Sequence, residues 1–572
     1  MLKSHQKYVL QWIGLFVLLS VVFLFYSYPL MDIWGSQTIG KNGAFSDTPQ
    51  ILSNLYLFDT SWDSGDLFYT DQLFVPLGES TLFHGLIPLM GGMYQIFGGE
   101  PLAFLNYFIF SCTLLAGWGA FRLAKEFSPG FWGPALVAML YLFGSFRMAQ
   151  WKDHIWFVVN FVPPWYFLYF RRIFTFHPIR LQSWKALIIC FLLGLVSVSL
   201  EFYTTFFLIY LSIGYLLYRS MPPLFPESWT SRKKVLVTIF GIVALSLLVD
   251  LFRKWGIDDH HGLYWTGDLT GLFIPYTNRI YSWLVPQVPN WLLPGADEKV
   301  MFLGFSLILA LIPAKIFYWK QGPGHRDPVA RHLFIFNLIL LILCFPVVKL
   351  FGHTFLKLPS AFLHFIPFVN NVRVPGRWIM FLYLFLPLFL IRVYGSRFSG
   401  FKREGIFLLL TLVLIAEHLP KAFDFFPQEV DRARMETIKK MPGQVLLPVP
   451  FGVRDGYRMI GQQDNRFMYE QTLHQKKLIG GYLSRVDRSI FDYYAADPFC
   501  SDMFTKMSHP DSKIIPREYS HFFEKFHPDI IDVREEYRNG ELVRKIKESF
   551  IDAGVQLIEV ESGLYRVQYP DK

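Results

Sequence analysis

The chain has 572 residues, of which 53% are hydrophobic, 18% aromatic and only 17% charged, with a mean hydropathy of +0.32. Soluble domains carry roughly 25% charged residues, so this composition excludes an ordinary water-soluble enzyme and calls for lipid around much of the apolar surface. The net charge of +9 then reads as a topology signal, with no nucleic acid as partner.

Lys3 and Lys7 precede an apolar run from Tyr8 to about Tyr28. The run is longer than a signal-peptide core of about 7–15 residues and no small-x-small cleavage site follows, which predicts an uncleaved first span. Further stretches of about the length a bilayer needs are Leu102–Phe121, Phe131–Phe146, Ile155–Phe170, Leu187–Leu200, Phe202–Tyr218, Val235–Phe252, Val300–Tyr318, Leu333–Leu350, Trp378–Tyr394 and Ile406–His418, about eleven in all. Cys112, Cys190 and Cys344 fall inside such runs and read as small buried hydrophobes. With Cys500 they form no CxxC or Cys/His spacing, which argues against structural zinc and a disulfide framework.

Placing the N-terminus in the cytoplasm puts the basic groups in alternate loops. These are Arg122 with Lys125; Arg171, Arg172, Arg180 and Lys185; Arg219 and Arg232–Lys234; Lys320, Arg326 and Arg331; and Arg392, Arg397, Lys402 and Arg403. That alternation is the positive-inside pattern. It requires Leu82–Phe97, with His84, Pro88 and Gly91-Gly92, to lie along the outer interface as a juxtamembrane helix. Three large features then face outward: loops at about 29–100 and 253–299, and a C-terminal segment. The expected organisation is a mainly α, polytopic transmembrane bundle over 1–420 and a small extracytoplasmic α/β domain over 421–572. In the latter, Arg432–Met441 and Glu541–Ala553 read as helices and Gln444–Pro450, Val555–Val560 and Leu564–Tyr569 as strands.

Candidate chemistry sits mostly in the outward loops. Asp47, in Phe45–Gln50, is either a helix cap together with Ser46 or a carboxylate able to act as a general base or metal ligand. Glu79 and His84 lie in DLFYTDQLFVPLGESTLFH, where Pro76 and Gly78 mark a turn. Asp153 and His154 end the short loop RMAQWKDH, and Glu201 stands between two apolar runs, where a carboxylate needs partners or water. Asp258-Asp259-His260-His261 places four ligand types in a row, but neighbouring side chains point apart and rarely converge on one ion. Arg373 and Arg377 flank a Pro-Gly turn, either snorkelling to headgroups or clamping phosphate.

The order of these features resembles the bacterial GT-C-type glycosyltransferases: a first span, an outer loop with an early acid, Asp66–His84 leading to a juxtamembrane helix, Arg147–His154, Phe351–Arg377 and a soluble outer domain. Tyr469–Arg485, with Glu470–His474 and Gly480-Gly481-Tyr482, is similar to the tail of uncharacterised members. The resemblance implies sugar transfer from a polyprenyl-phosphate carrier to a glycan, lipid or protein acceptor on the outer face of the bacterial cytoplasmic membrane. It implies Asp47 as the base or metal/acceptor ligand, with Asp153 as the second loop acid beside His154. The leaving phosphate would fall to Arg373, Arg377 or Lys357; Glu201 joins the acids, and Glu79, His84 and His154 join the substrate-binding set. A divalent metal has precedent in that resemblance, but Asp47 is followed by Thr48-Pro49 and forms no DxD. Two other readings stay open: a lipid or glycan transporter or flippase, and an inactive GT-C-like assembly protein.

Overall fold

The structure is a computed structural model that describes residues 2–570 except 42, 44–45, 67, 82–86, 153, 176–179, 221–240, 242–246, 250–253, 255–261, 264, 288–299, 321–326, 367–369, 371, 373, 428–429, 510–511, 513–518 and 539. The chain divides into two compact units, Met1–Met31 with Phe108–Phe423, and Asp32–Tyr107 with Asp424–Lys572.

Among the described residues, three helices are long and apolar enough to cross a membrane: Val9–Ser27, Pro101–Lys125 and Pro375–Arg397. Trp184–Leu200, Phe202–Leu216 and Pro328–Cys344 are shorter apolar helices. Three of the expected stretches are interrupted; Leu333–Leu350 leaves its helix at Cys344 and continues as the strand Val347–Leu350. Phe131–Phe146 gives a helix only over Trp132–Phe143, about 18 Å of rise, because the chain turns extended at Gly144 before a short helix at Ser145–Gln150. Ile155–Phe170 breaks at Asn160, whose side-chain oxygen accepts from Val162 N at 3.1 Å and so starts a second helix, Val162–Phe170, with a proline in its first turn. The Val235–Phe252 stretch lies largely outside the described residues.

Within the first unit, Trp132–Phe143 and Ile379–Arg397 are buried on nearly every face. Helices apolar all round occupy the middle of a bundle. Asn337, itself buried, donates from Nδ2 to Phe385 O at 3.0 Å and so ties Pro328–Cys344 to this central helix.

The second unit holds a five-stranded sheet in the order Lys477–Leu478, Val445–Val449, Ile530–Val533, Leu564–Gln568, Gln556–Glu561. The first three strands run parallel and the last two are antiparallel, with Ile531 opposite Leu447 and Tyr565. The helices expected at Arg432–Met441 and Glu541–Ala553 run Arg432–Lys440 and Glu541–Asp552. A buried Arg434–Asp532 ion pair, with Nε 3.0 Å from the carboxylate, fastens the first of these to the central strand.

The early loop contributes directly to this core. Leu73 and Phe74 have no exposed surface and pack with Leu478, Ile479 and Tyr494. The backbone is stitched in along its length: Leu478 N donates to Gln72 O at 2.9 Å, Phe74 N to Gly480 O at 3.1 Å, and Tyr494 Oη to Val75 O at 2.7 Å. Phe74 holds a φ of +57°, a strained value for a bulky residue that persists only where packing over-determines it. Gly480 accounts for part of the Gly-Gly pair. Its φ is +89°, and a Cβ there would lie 2.3 Å from Gly452 O.

Candidate functional site

In the first unit, Glu201 links the helices Trp184–Leu200 and Phe202–Ser220 in extended conformation. It is buried, and its two oxygens accept from the backbone N–H groups of Tyr203, at 2.6 Å, and Thr204. Geometrically it caps the second helix. Arg377, in the turn Pro375–Trp378, is also buried; its guanidinium lies 4.9 Å from the ring centroid of Phe157 and 5.1 Å from that of Tyr203, and its charge acts on Glu201. The ring of His154 is 6.4 Å from that of Phe157. Phe157 thus brings Arg377 into the neighbourhood of His154, and Arg377 in turn acts on Glu201. Lys357 ends the strand His353–Lys357, paired opposite Val347, and its partial burial holds the ammonium below its usual pKa. Asp153, Arg373 and His84 lie outside the described residues.

A cavity of about 220 Å³ in the same unit is lined by Lys152, Tyr276, Thr277 and Lys421, with Met148 and Ala149. Lys421 N donates to Thr277 O at 2.8 Å, and its ammonium lies 5.6 Å from the Tyr276 ring centroid. Partial burial, and then the like charge of Lys152, pull the Lys421 pKa down.

Next along the chain from these wall residues is a polar knot that sequence reasoning missed. Asn278 Nδ2 donates to Glu417 O at 2.7 Å and Ser145 Oγ at 2.9 Å, and Ser145 Oγ lies 2.8 Å from His418 Nδ1. Glu417 accepts from Tyr281 Oη at 2.9 Å and Ser306 N at 3.1 Å. The signal was Glu417-His418 at the end of an apolar run, an expensive place for two ionisable groups unless they are partnered.

In the second unit, Asp47 stands at the N-cap of Thr48–Ser64 but makes no side-chain cap bond; Ser46 Oγ accepts from Thr48 N at 3.2 Å. Asn465 Nδ2 holds Ser46 O at 2.7 Å. The Asp47 carboxylate is therefore set half-buried at the positive end of a 17-residue helix, by a backbone that is anchored on both sides. Glu79 accepts from Ser80 N at 2.6 Å and Asp487 N at 2.7 Å, and burial pushes its pKa up. It acts there as a strut for the early loop.

The Glu470–His474 stretch is built into a charge network of the same unit. Arg534 reaches Glu470 at 2.6 Å and Asp464 at 3.2 Å, and its guanidinium stacks 3.8 Å from the Phe467 ring centroid. Burial raises Glu470, whereas Asp464 is held low because Arg466 and Arg534 outweigh its burial. His474 is buried and accepts from Lys476 N at 3.0 Å; burial, then Lys476 and Arg534, lower its pKa to about 3. An unfolded histidine titrates near about 6.5, so between these values the unfolded chain binds the extra proton and stability drops as pH falls. Melting temperature measured from pH 6.5 down to 4 is expected to decline, and His474→Gln to flatten the slope. Glu470 slopes the other way above about 4.3, so the difference between the two proteins isolates the histidine. An unchanged slope in the variant would contradict a buried neutral His474.

Among the described residues, no group of three or more His, Cys, Asp or Glu is placed to hold a metal ion. The Asp258–His261 run lies outside them.

No curated protein matches the sequence. Among solved structures, the arabinofuranosyltransferase AftD from Mycobacteria aligns over 95% of this chain and 37% of its own, with a TM-score of 0.50 and 12% identity. The chain therefore spans well under half the length of that protein. The oligosaccharyltransferase of Archaeoglobus fulgidus aligns over 91% of this chain and 69% of its own (TM-score 0.41, 11% identity), and ArnT from Cupriavidus metallidurans, solved with undecaprenyl phosphate, over 97% of each (TM-score 0.38, 12% identity). The likeness to AftD shows a shared fold. A family described as a domain of unknown function, DUF6311, matches residues 15–416. That is more than half of the chain, which belongs to the DUF6311 family.

Proposed function

We propose that this chain is a membrane glycosyltransferase that moves a sugar from a polyprenyl-phosphate carrier to a glycan, lipid or protein acceptor on the outer face of the bacterial cytoplasmic membrane. The observation that carries the reading is the fold, shared over 95% of the chain with an arabinofuranosyltransferase. The basic loops stay in the cytoplasm and the early loop and C-terminal segment outside. A carrier bound to the bilayer gives a transferase its reason for membrane spans.

In this reading Asp47 takes the proton of the acceptor hydroxyl. The freed oxygen bonds to the anomeric carbon, the bond from that carbon to the phosphate oxygen breaks, and the lipid phosphate leaves with the electron pair. Positioned cations stabilise such a leaving anion strongly. The cavity with Lys152 and Lys421 supports a phosphate site on electrostatic grounds, and Arg377, Arg373 and Lys357 are the further cations of the proposal. Glu201, the further acid of the proposal, sets its charge beside Arg377. The test is label transfer from a radiolabelled polyprenyl-phosphate sugar by the purified chain. Lys421→Ala and Lys152→Ala are expected to raise the apparent KM for the carrier by about ten-fold or more each, the usual worth of a charged hydrogen bond, with kcat largely kept. An unchanged KM in both would remove this cavity from carrier binding.

A further inference from the structure

A further cavity of the first unit is lined by none of the residues placed in the transferase proposal. It has a volume of about 470 Å³, and its walls include Phe127, Phe167, Phe170, Phe336 and Phe385. At one end its lining is charged: Arg171, Arg392 and Glu126. Arg172 adds a third guanidinium, 2.6 Å from Glu126, while Arg392 also reaches Asp327 at 2.5 Å. Three guanidinium groups thus meet two carboxylates, and the mouth is net positive. Arg171 is the loosest of them, 3.5 Å from Glu126 with a side chain 40% exposed and its guanidinium 5.2 Å from the Phe127 centroid.

A second cavity, of about 250 Å³, shares Tyr215, His332 and Phe336 with the first and continues to Leu343 and Leu363 between almost wholly apolar walls. From His332 to Leu343 the helix Pro328–Cys344 rises by about 16 Å. That is close to half of the ~30 Å hydrocarbon core, the depth of one leaflet. The pair therefore combines a net-positive mouth with an apolar slot one leaflet deep. Basic pockets between membrane helices favour anionic headgroups, and guanidinium is the side chain best shaped to hold a phosphate diester.

We propose that this crevice is a binding site for one anionic phospholipid, its phosphate at Arg171 and Arg392 and an acyl chain along Phe336 towards Leu343. On the orientation proposed above, the lipid belongs to the cytoplasmic leaflet, opposite the face of sugar transfer. The site does not depend on the transferase reading, and an inactive protein would leave it standing.

The test is native mass spectrometry of the full chain in detergent, titrated with phosphatidylglycerol or phosphatidylcholine of identical chains. A phosphatidylglycerol adduct is expected at concentrations where phosphatidylcholine gives none. Arg171→Ala should weaken the adduct by about five-fold, the effect of one basic residue at an anionic headgroup. Arg397→Ala, which removes a cation outside this cavity's lining, should leave it unchanged. Equal retention of the two lipids, no effect of Arg171→Ala, or equal losses in both variants would each overturn the proposal.

Discussion

Asp47→Asn is expected to lower sugar transfer by about 10²–10⁴-fold, the usual contribution of a positioned general base. Asparagine keeps the shape and polarity of the side chain but cannot take a proton at neutral pH. The local fold should survive, because the helix start is capped through Ser46 Oγ and held by Asn465, and Asp47 itself makes no cap bond. Expression and melting temperature are the control. A variant that folds and still transfers sugar at the wild-type rate would exclude Asp47 as the base. Asp47→Glu gives a finer reading: partial activity fits a proton acceptor, whereas Asn and Glu variants of equal activity do not.

The second large effect concerns stability. Phe74→Ala should cost the second unit about 3–5 kcal/mol, the range for truncating a fully buried phenylalanine. The side chain has no exposed surface and lies in the same core as Leu478, Ile479 and Tyr494. Leu77, three residues on, is 36% exposed, and Leu77→Ala should stay within about 0.5 kcal/mol of wild type. Hydrogen exchange in the strands Val445–Val449 and Ile530–Val533 reads the difference locally. Phe74→Ala should speed exchange there, and Leu77→Ala should not. Unchanged exchange in Phe74→Ala would mean that the early loop does not belong to this core.

The same segment shows where sequence reasoning stopped. Pro76 and Gly78 mark a turn in Gln72–Glu79, and nothing nearby reveals that its backbone partners are Leu478, Gly480 and Tyr494, about four hundred residues on. Local pattern carries no record of pairing at that separation. The C-terminal strands were readable because alternation along Leu564–Gln568 and the helical spacing of Glu541–Asp552 are local signals. Long apolar runs were readable for the same reason, whereas their interruptions at Gly144 and Asn160 come from single backbone and side-chain bonds. At the site, the sequence singled out Glu201 by its cost at a membrane boundary and Arg377 by its place beside a Pro-Gly turn. It did not reveal that Glu201 caps a helix or that Arg377 sits between Phe157 and Tyr203. Lys152 and Lys421 went unnoticed, since two loop lysines look like ordinary solvated charge until a cavity brings them together.

Reconstitution of the purified chain into sealed vesicles, with a radiolabelled polyprenyl-phosphate sugar and an acceptor-containing envelope extract on the outward side, tests the transferase reading most directly. Label is expected to become covalently attached to acceptor in wild-type vesicles and to stay on the carrier with Asp47→Asn. Label that crosses the bilayer still attached to its carrier, with no covalent product, would contradict it in favour of a transporter. Wild-type vesicles that neither transfer nor move label would contradict it in favour of an inactive scaffold.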